Sequence, residues 1–148
     1  MRRILVIHST SDPGVEDRIA RMAAKPELAA YQFQHIYFFL PEYAREAERD
    51  MRARPGEFLE ENQASIRQRM TRQIEVTEPE MIVVHNGIAF TMAPMAVLNI
   101  IAELKERFPQ MKFAMQDGPA LAETLFANQI QQIFDLSPET QGIVKSMF

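Results

Sequence analysis

Five short apolar runs, separated by helical stretches, constrain this chain more than any other feature of its sequence. They are Ile4–Ile7, Phe33–Leu40, Met81–Val84, Met111–Met115 and Ile130–Phe134. Each run ends in polar or small residues: His8-Ser9-Thr10, Pro41-Glu42-Tyr43, His85-Asn86-Gly87, Gln116-Asp117-Gly118 and Asp135-Leu136-Ser137. Strands that alternate with helices build a parallel sheet covered on both faces, and such strands read as near-continuous apolar runs. Ligands of these sheets bind at the carboxyl ends of the strands. The polar clusters fall at those ends, so the pattern gives both a fold class and a functional edge.

The connections are read from their breakers and periods. Ser9-Thr10-Ser11-Asp12-Pro13-Gly14 is rich in turn formers, and a helix follows from about Val15 to Ala24, stopped by Lys25-Pro26. Its inward candidates are Ile19 and Met22, with Arg18 and Arg21 outside. The second strand, Tyr31 to Leu40, is interrupted by Gln32, Gln34 and His35, which suits an edge. Pro55-Gly56 then splits a helical hairpin. Its first arm, Glu42 to Arg54, carries Tyr43, Ala47 and Met51; its second, Glu57 to Val76, carries Leu59, Ile66, Met70 and Ile74 on one stripe. One helix suffices for a parallel crossover, so this extra length is read as a lid, an oligomer contact or a partner surface. Phe90 to Phe108 reads as one amphipathic helix with Pro94 in its first turn. A short helix follows Asp117-Gly118-Pro119, a fifth strand lies near Gln129–Phe134, and Ser137-Pro138 caps a final helix.

The expected architecture is a three-layer α/β/α domain, residues 1–148, with a five-stranded parallel sheet in the flavodoxin-like order 2-1-3-4-5 and the helical hairpin between strands 2 and 3. In length and alternation the chain is similar to response-regulator receiver domains, but His8-Ser9 and His85-Asn86 stand where those carry their acidic residues and phosphoacceptor. Ser9-Thr10-Ser11 resembles the first loop of flavodoxins, and His85-Asn86-Gly87 through Thr91 resembles a loop of type II dehydroquinases. These likenesses imply the fold alone. No functional residue of those families is carried over.

Composition narrows the chemistry. The absence of cysteine excludes disulfides, thiolate metal sites and cysteine nucleophiles. A net charge of −4, from 16 basic and 20 acidic residues, argues against broad contact with nucleic acid. No run is long enough to cross a bilayer, and the stretch after the first arginines is too short for a signal peptide. The expectation is a soluble, cytoplasmic chain with no membrane partner.

The candidate site gathers at the strand ends. His8 and His85 lie just past neighbouring strands about 4.8 Å apart, so their rings can meet and either can serve as a general base. Asp117 could orient an imidazole. The other reading of these histidines is that they cap strand ends and bond loop carbonyls. Ser9, Thr10 and Ser11 offer hydroxyls before a helix N-terminus, as an anion-binding loop does, although Asp12, Glu16 and Asp17 beside them equally suit helix capping. Asn86, Gly87 and Gly118 are turn residues at which a backbone amide can face a ligand. No metal-ligand spacing is present and no cofactor is implied. The arginines of the hairpin (Arg45, Arg49, Arg52, Arg67, Arg69, Arg72) interleave with acids and read as a self-compensated solvated surface.

Two functions follow as expectations. The first is a domain that binds a polar small molecule, with phosphate- and nucleotide-bearing molecules among the candidates, at the ends of strands 1, 3 and 4, with histidine acid–base chemistry if it is an enzyme. The second is a non-catalytic regulatory or interaction domain that forms a homodimer or meets a partner through the hairpin.

Overall fold

The computed structural model describes residues 2–9 and 14–148. Among them are four strands, β1 (Arg2–His8), β2 (Tyr31–Tyr37), β3 (Met81–His85) and β4 (Lys112–Met115), all parallel and ordered 2-1-3-4. Eight α-helices accompany them: α1 (Val15–Ala24), α2 (Ala44–Ala53), α3 (Pro55–Thr77), α4 (Ile88–Met92), α5 (Pro94–Arg107), α6 (Gly118–Leu121), α7 (Ala127–Ile133) and α8 (Pro138–Met147).

The two-residue period of each strand divides the core. Leu5, Ile7, Ile82, Val84, Phe113 and Met115 point to one face, where they pack with α2, α3, α5 and α7. Ile4, Val6, Met81, Val83 and Ala114 point to the other, where Met22 of α1 and Val144 and Met147 of α8 cover them. β1 and β3 are central and their cores are buried on both sides, which is why Ile4–Ile7 and Met81–Val84 carry no polar residue before the terminal histidine. Each fully buried aliphatic side chain contributes about 1.5–3 kcal/mol relative to exposure.

The fifth strand is corrected by the structure. Residues 127–133 form α7, and Ile130, Ile133 and Phe134 are buried. Phe126, Ile130, Ile133 and Phe134 recur every three or four residues, and that helical period prevails over the local apolar density. Phe134 then turns extended (φ −107°, ψ 144°), and the N–H of Asp135 donates to the Phe113 carbonyl at 2.8 Å. A short extended segment thus lies beside β4 where the flavodoxin-like order would set another strand. The long helix expected from Phe90 is also two helices. Ala93 leaves helical geometry (φ −145°, ψ 64°) ahead of Pro94, which begins α5 at its first position.

The hairpin lies flat on the sheet. Ala47 and Met51 of α2 and Leu59, Ile66, Met70 and Ile74 of α3 are buried in the core. Arg67 pairs with Glu103 of α5, and Arg107 of α5 pairs with Glu75 of α3. Arg69 departs from the expected solvated surface. Its guanidinium donates to the carbonyls of Tyr37, at 3.0 Å, and of Phe38, at the end of β2.

Candidate functional site

Parallel register brings the strand-end histidines together. His8 is aligned with His85 on one side and Tyr37 on the other. His8 and His85 turn their rings to the face covered by α1 and α8. Their Nδ1 atoms lie 2.9 Å apart, with the rings edge to face. His35, two residues before Tyr37, points to the same face, and its Nδ1 lies 2.9 Å from His8 Nε2. Tyr37 stacks on His8 with ring centroids 4.8 Å apart. On the far side, Arg18 of α1 places Nη1 3.3 Å from His85 Nε2. The result is a line of three imidazoles across β2, β1 and β3, with a guanidinium at one end.

Donor and acceptor roles follow from that end. A guanidinium only donates, so His85 Nε2 accepts and its Nδ1 carries the proton. His8 Nδ1 then accepts and its Nε2 donates to His35 Nδ1. His35 keeps its proton on Nε2, a buried atom with no hydrogen-bond partner. Each ring carries one proton in this assignment, and a second proton on any ring would set two donors face to face. Burial agrees with a neutral His8, which is 2% exposed. Burial, then the neighbouring His85, His35 and Arg18, pushes His8 down to about 3. Burial, then His85, pushes His35 down to about 4.

The expected ligand-binding residues knit the strand ends to one another. Ser9 is fully buried; its N–H donates to the His85 carbonyl at 3.2 Å, and its Oγ accepts the Gly87 N–H at 2.6 Å. The Asn86 N–H donates to Gln116 Oε1 at 3.2 Å, and Asn86 Nδ2 to the Gln116 carbonyl at 3.0 Å, while Asn86 Oδ1 is buried without a partner. Gly118 is buried against Leu136: a Cβ there would stand 3.0 Å from Leu136 Cδ2, so any larger residue requires that side chain to shift by a few tenths of an ångström. Asp117 is exposed, in left-handed geometry (φ 58°) at the head of α6, and has no contact with the histidines among the described residues. Thr10, Ser11 and Asp12 lie outside the described residues.

A cleft of about 650 Å³ opens at the carboxyl end of β4, between α6 and α8. Gln116, Asp117, Gln141, Gly142, Lys145 and Phe148 line it together with Pro119, Ala120, Pro138 and Val144. Phe148 joins this cleft to the buried line, because its ring lies parallel to that of His85 with centroids 4.8 Å apart. His8 and His85 line none of the described clefts. Asp135 sets the wall formed by α8. Its carboxylate accepts the Ser137 N–H at 2.9 Å and the Thr140 hydroxyl at 2.8 Å, and these bonds hold its pKa below the usual carboxylate range.

Three of these residues were missed from sequence. His35 looked like an irregularity of an edge strand, although the period of two already put it on one face with Phe33 and Tyr37. Arg18 was placed outside its helix, yet it is half-buried against His85. Asp135 carried the signal of an acid just before Ser137-Pro138. No family model matches the chain, and no curated protein and no solved structure is significantly similar to it. Among the described residues no group of three or more potential metal ligands is placed to hold an ion, and no helix is long and apolar enough to cross a membrane.

Proposed function

We propose that this chain binds a small polar organic molecule in the cleft between β4, α6 and α8. The cleft's position at the carboxyl edge of the sheet carries this reading, since open parallel sheets hold ligands there, and its volume lies in the range of small-molecule sites. Pro119, Pro138, Val144 and Phe148 offer an apolar bed, and the amides of Gln116 and Gln141 offer hydrogen bonds. One carboxylate, Asp117, and one ammonium, Lys145, stand at the rim. That balance suits a neutral or zwitterionic ligand with a flat portion, such as a nucleoside-like heterocycle, better than a phosphate. The line of histidines supports Phe148 from beneath. In this reading His8 and His85 position the site, and their burial keeps them from the ligand.

A thermal-shift series of nucleosides, nucleotides and amino acids tests this, because a molecule that binds only the folded chain raises its melting temperature. Gly142 supplies the control. It lines the cleft, and a Cβ built on it meets nothing within 4 Å. Gly142→Leu is expected to fill the cleft, keep the fold and abolish the shift. A shift that persists undiminished in Gly142→Leu, or the absence of any shift across the series with the native chain, rejects the cleft as the site.

A further inference from the structure

The hydrogen-bond pattern of β2 leaves one of its edges open. The Arg2 N–H donates to the Ala30 carbonyl at 3.2 Å and the Phe38 N–H to the His8 carbonyl at 3.0 Å. With the register Arg2↔Tyr31 through His8↔Tyr37, the even-numbered residues of β2 point their amides and carbonyls to β1. Phe33 and His35 therefore direct theirs away from the sheet, and no strand lies beyond β2 among the described residues. Arg69 caps the Tyr37 carbonyl at the end of this row. Clefts of about 180 Å³ and 460 Å³ flank the strand, and both reach His35.

An open edge of this kind pairs with other strands unless something prevents it. Natural edges are blunted by charges, prolines, bulges or a covering element. β2 (Tyr-Gln-Phe-Gln-His-Ile-Tyr) has no acidic residue, no lysine, no arginine and no proline, and it pairs with β1 without a bulge. Its side chains toward the α1 and α8 face are rings, Tyr31, Phe33, His35 and Tyr37, all half-buried.

We infer that β2 pairs antiparallel with β2 of a second copy, making one continuous sheet through a twofold axis at Gln34. Outward-pointing residues must meet outward-pointing residues. Phe33 then exchanges both backbone bonds with His35 of the other copy, and Tyr31 lies beside Tyr37. A row of rings meets itself, and aromatic cross-strand pairs are favourable. The strand is uncharged, so two copies meet without repulsion. Gln34 opposes itself at a non-hydrogen-bonded position, the closest approach in an antiparallel ladder. His35, the last ring of the buried line, sits inside this interface. The interface is distinct from the hairpin and independent of what the cleft binds.

Sedimentation velocity on the full chain over a wide concentration range tests the inference, with Gln34→Lys and Gln34→Glu as variants. The native chain is expected to be a dimer. Each variant alone is expected to be monomeric, because two like charges face each other at the axis, and an equimolar mixture is expected to regain the dimer as a Lys–Glu pair. That rescue separates interface loss from misfolding. Tyr43→Ser in the hairpin is expected to leave the dimer intact. A native chain that is monomeric throughout overturns the inference, as does dimerisation of both single-charge variants at native strength or dimer loss in Tyr43→Ser alone.

Discussion

His8 and His85 meet Nδ1 to Nδ1 at 2.9 Å across the seam between two parallel strands, and both are buried. Two like atoms at that distance require one to donate and the other to accept. The direction is set from outside the pair, by the guanidinium of Arg18 beside His85 Nε2. One half-buried guanidinium therefore polarises a line of rings that ends at His35, on the far strand.

Removing the middle ring should cost stability out of proportion to its size. His8→Phe keeps the volume but strands the His85 Nδ1–H and the His35 Nδ1 acceptor. A buried group left unsatisfied costs about 1–3 kcal/mol, so a loss of about 2–4 kcal/mol is expected in urea denaturation. A loss below half a kcal/mol would mean that the rings are spectators.

Acid should weaken the fold well before ordinary carboxylates titrate. His8 falls from 6.5 to about 3 and His35 from 6.5 to about 4 on folding. The unfolded chain therefore binds more protons than the native one between these values, and stability rises with pH through that window. The contribution is fully present above 6.5 and is lost as pH falls toward 4 for His35 and 3 for His8. The slope is at most about 1.4 kcal/mol per pH unit for one ring, and His35, being less buried, adds less after solvent screening. Melting temperatures across this range should show the slope in the native chain and a shallower one in His8→Phe. An identical slope in both places the titration elsewhere.

The end of β2 offers a separate test. Arg69 loses solvation in reaching the Tyr37 and Phe38 carbonyls, and burial lowers its pKa. Arg69→Lys keeps the charge but cannot span two carbonyls with a planar fork. Arg69→Ala is expected to lose about 2–3 kcal/mol and Arg69→Lys more than half of that, since bonds to charged donors contribute about 1.5–3 kcal/mol. Equal stability of Arg69→Lys and the native chain would show that charge alone matters there.

What was legible in the sequence depended on how strongly a local pattern tied one residue to another. The four strands and their order were readable because Ile4–Ile7 and Met81–Val84 admit no other role than buried strands, and parallel pairing of adjacent ends then forces His8 toward His85. His35 and Arg18 were not readable as members of the same group, because their roles depend on register and helix rotation, which only tertiary packing fixes. The strand expected near 129–134 is a helix instead, because the helical spacing shows only when Phe126, outside the apolar run, is counted with Ile130, Ile133 and Phe134. The bond between the Gly87 N–H and Ser9 Oγ was not legible either, because it joins loops 78 residues apart in the chain. Backbone donors at strand ends are satisfied first by neighbouring loops.

The two glycines that flank the cleft should respond in opposite directions to alanine. Gly118 was expected to serve a ligand, yet a Cβ there meets Leu136 Cδ2 at 3.0 Å and Gln141 Nε2 at 3.7 Å. Leu136 has to give way, and overpacking costs about 1–3 kcal/mol, so Gly118→Ala should lower stability toward the bottom of that range. Gly142 lies within α8 with open space beside it. Gly142→Ala should gain about 0.8–1 kcal/mol from helix propensity alone, and one methyl leaves most of the cleft open to a ligand. Urea denaturation of both variants measures the contrast. Stabilisation by Gly118→Ala would mean that Leu136 yields freely, and the packing account of that glycine would then fail.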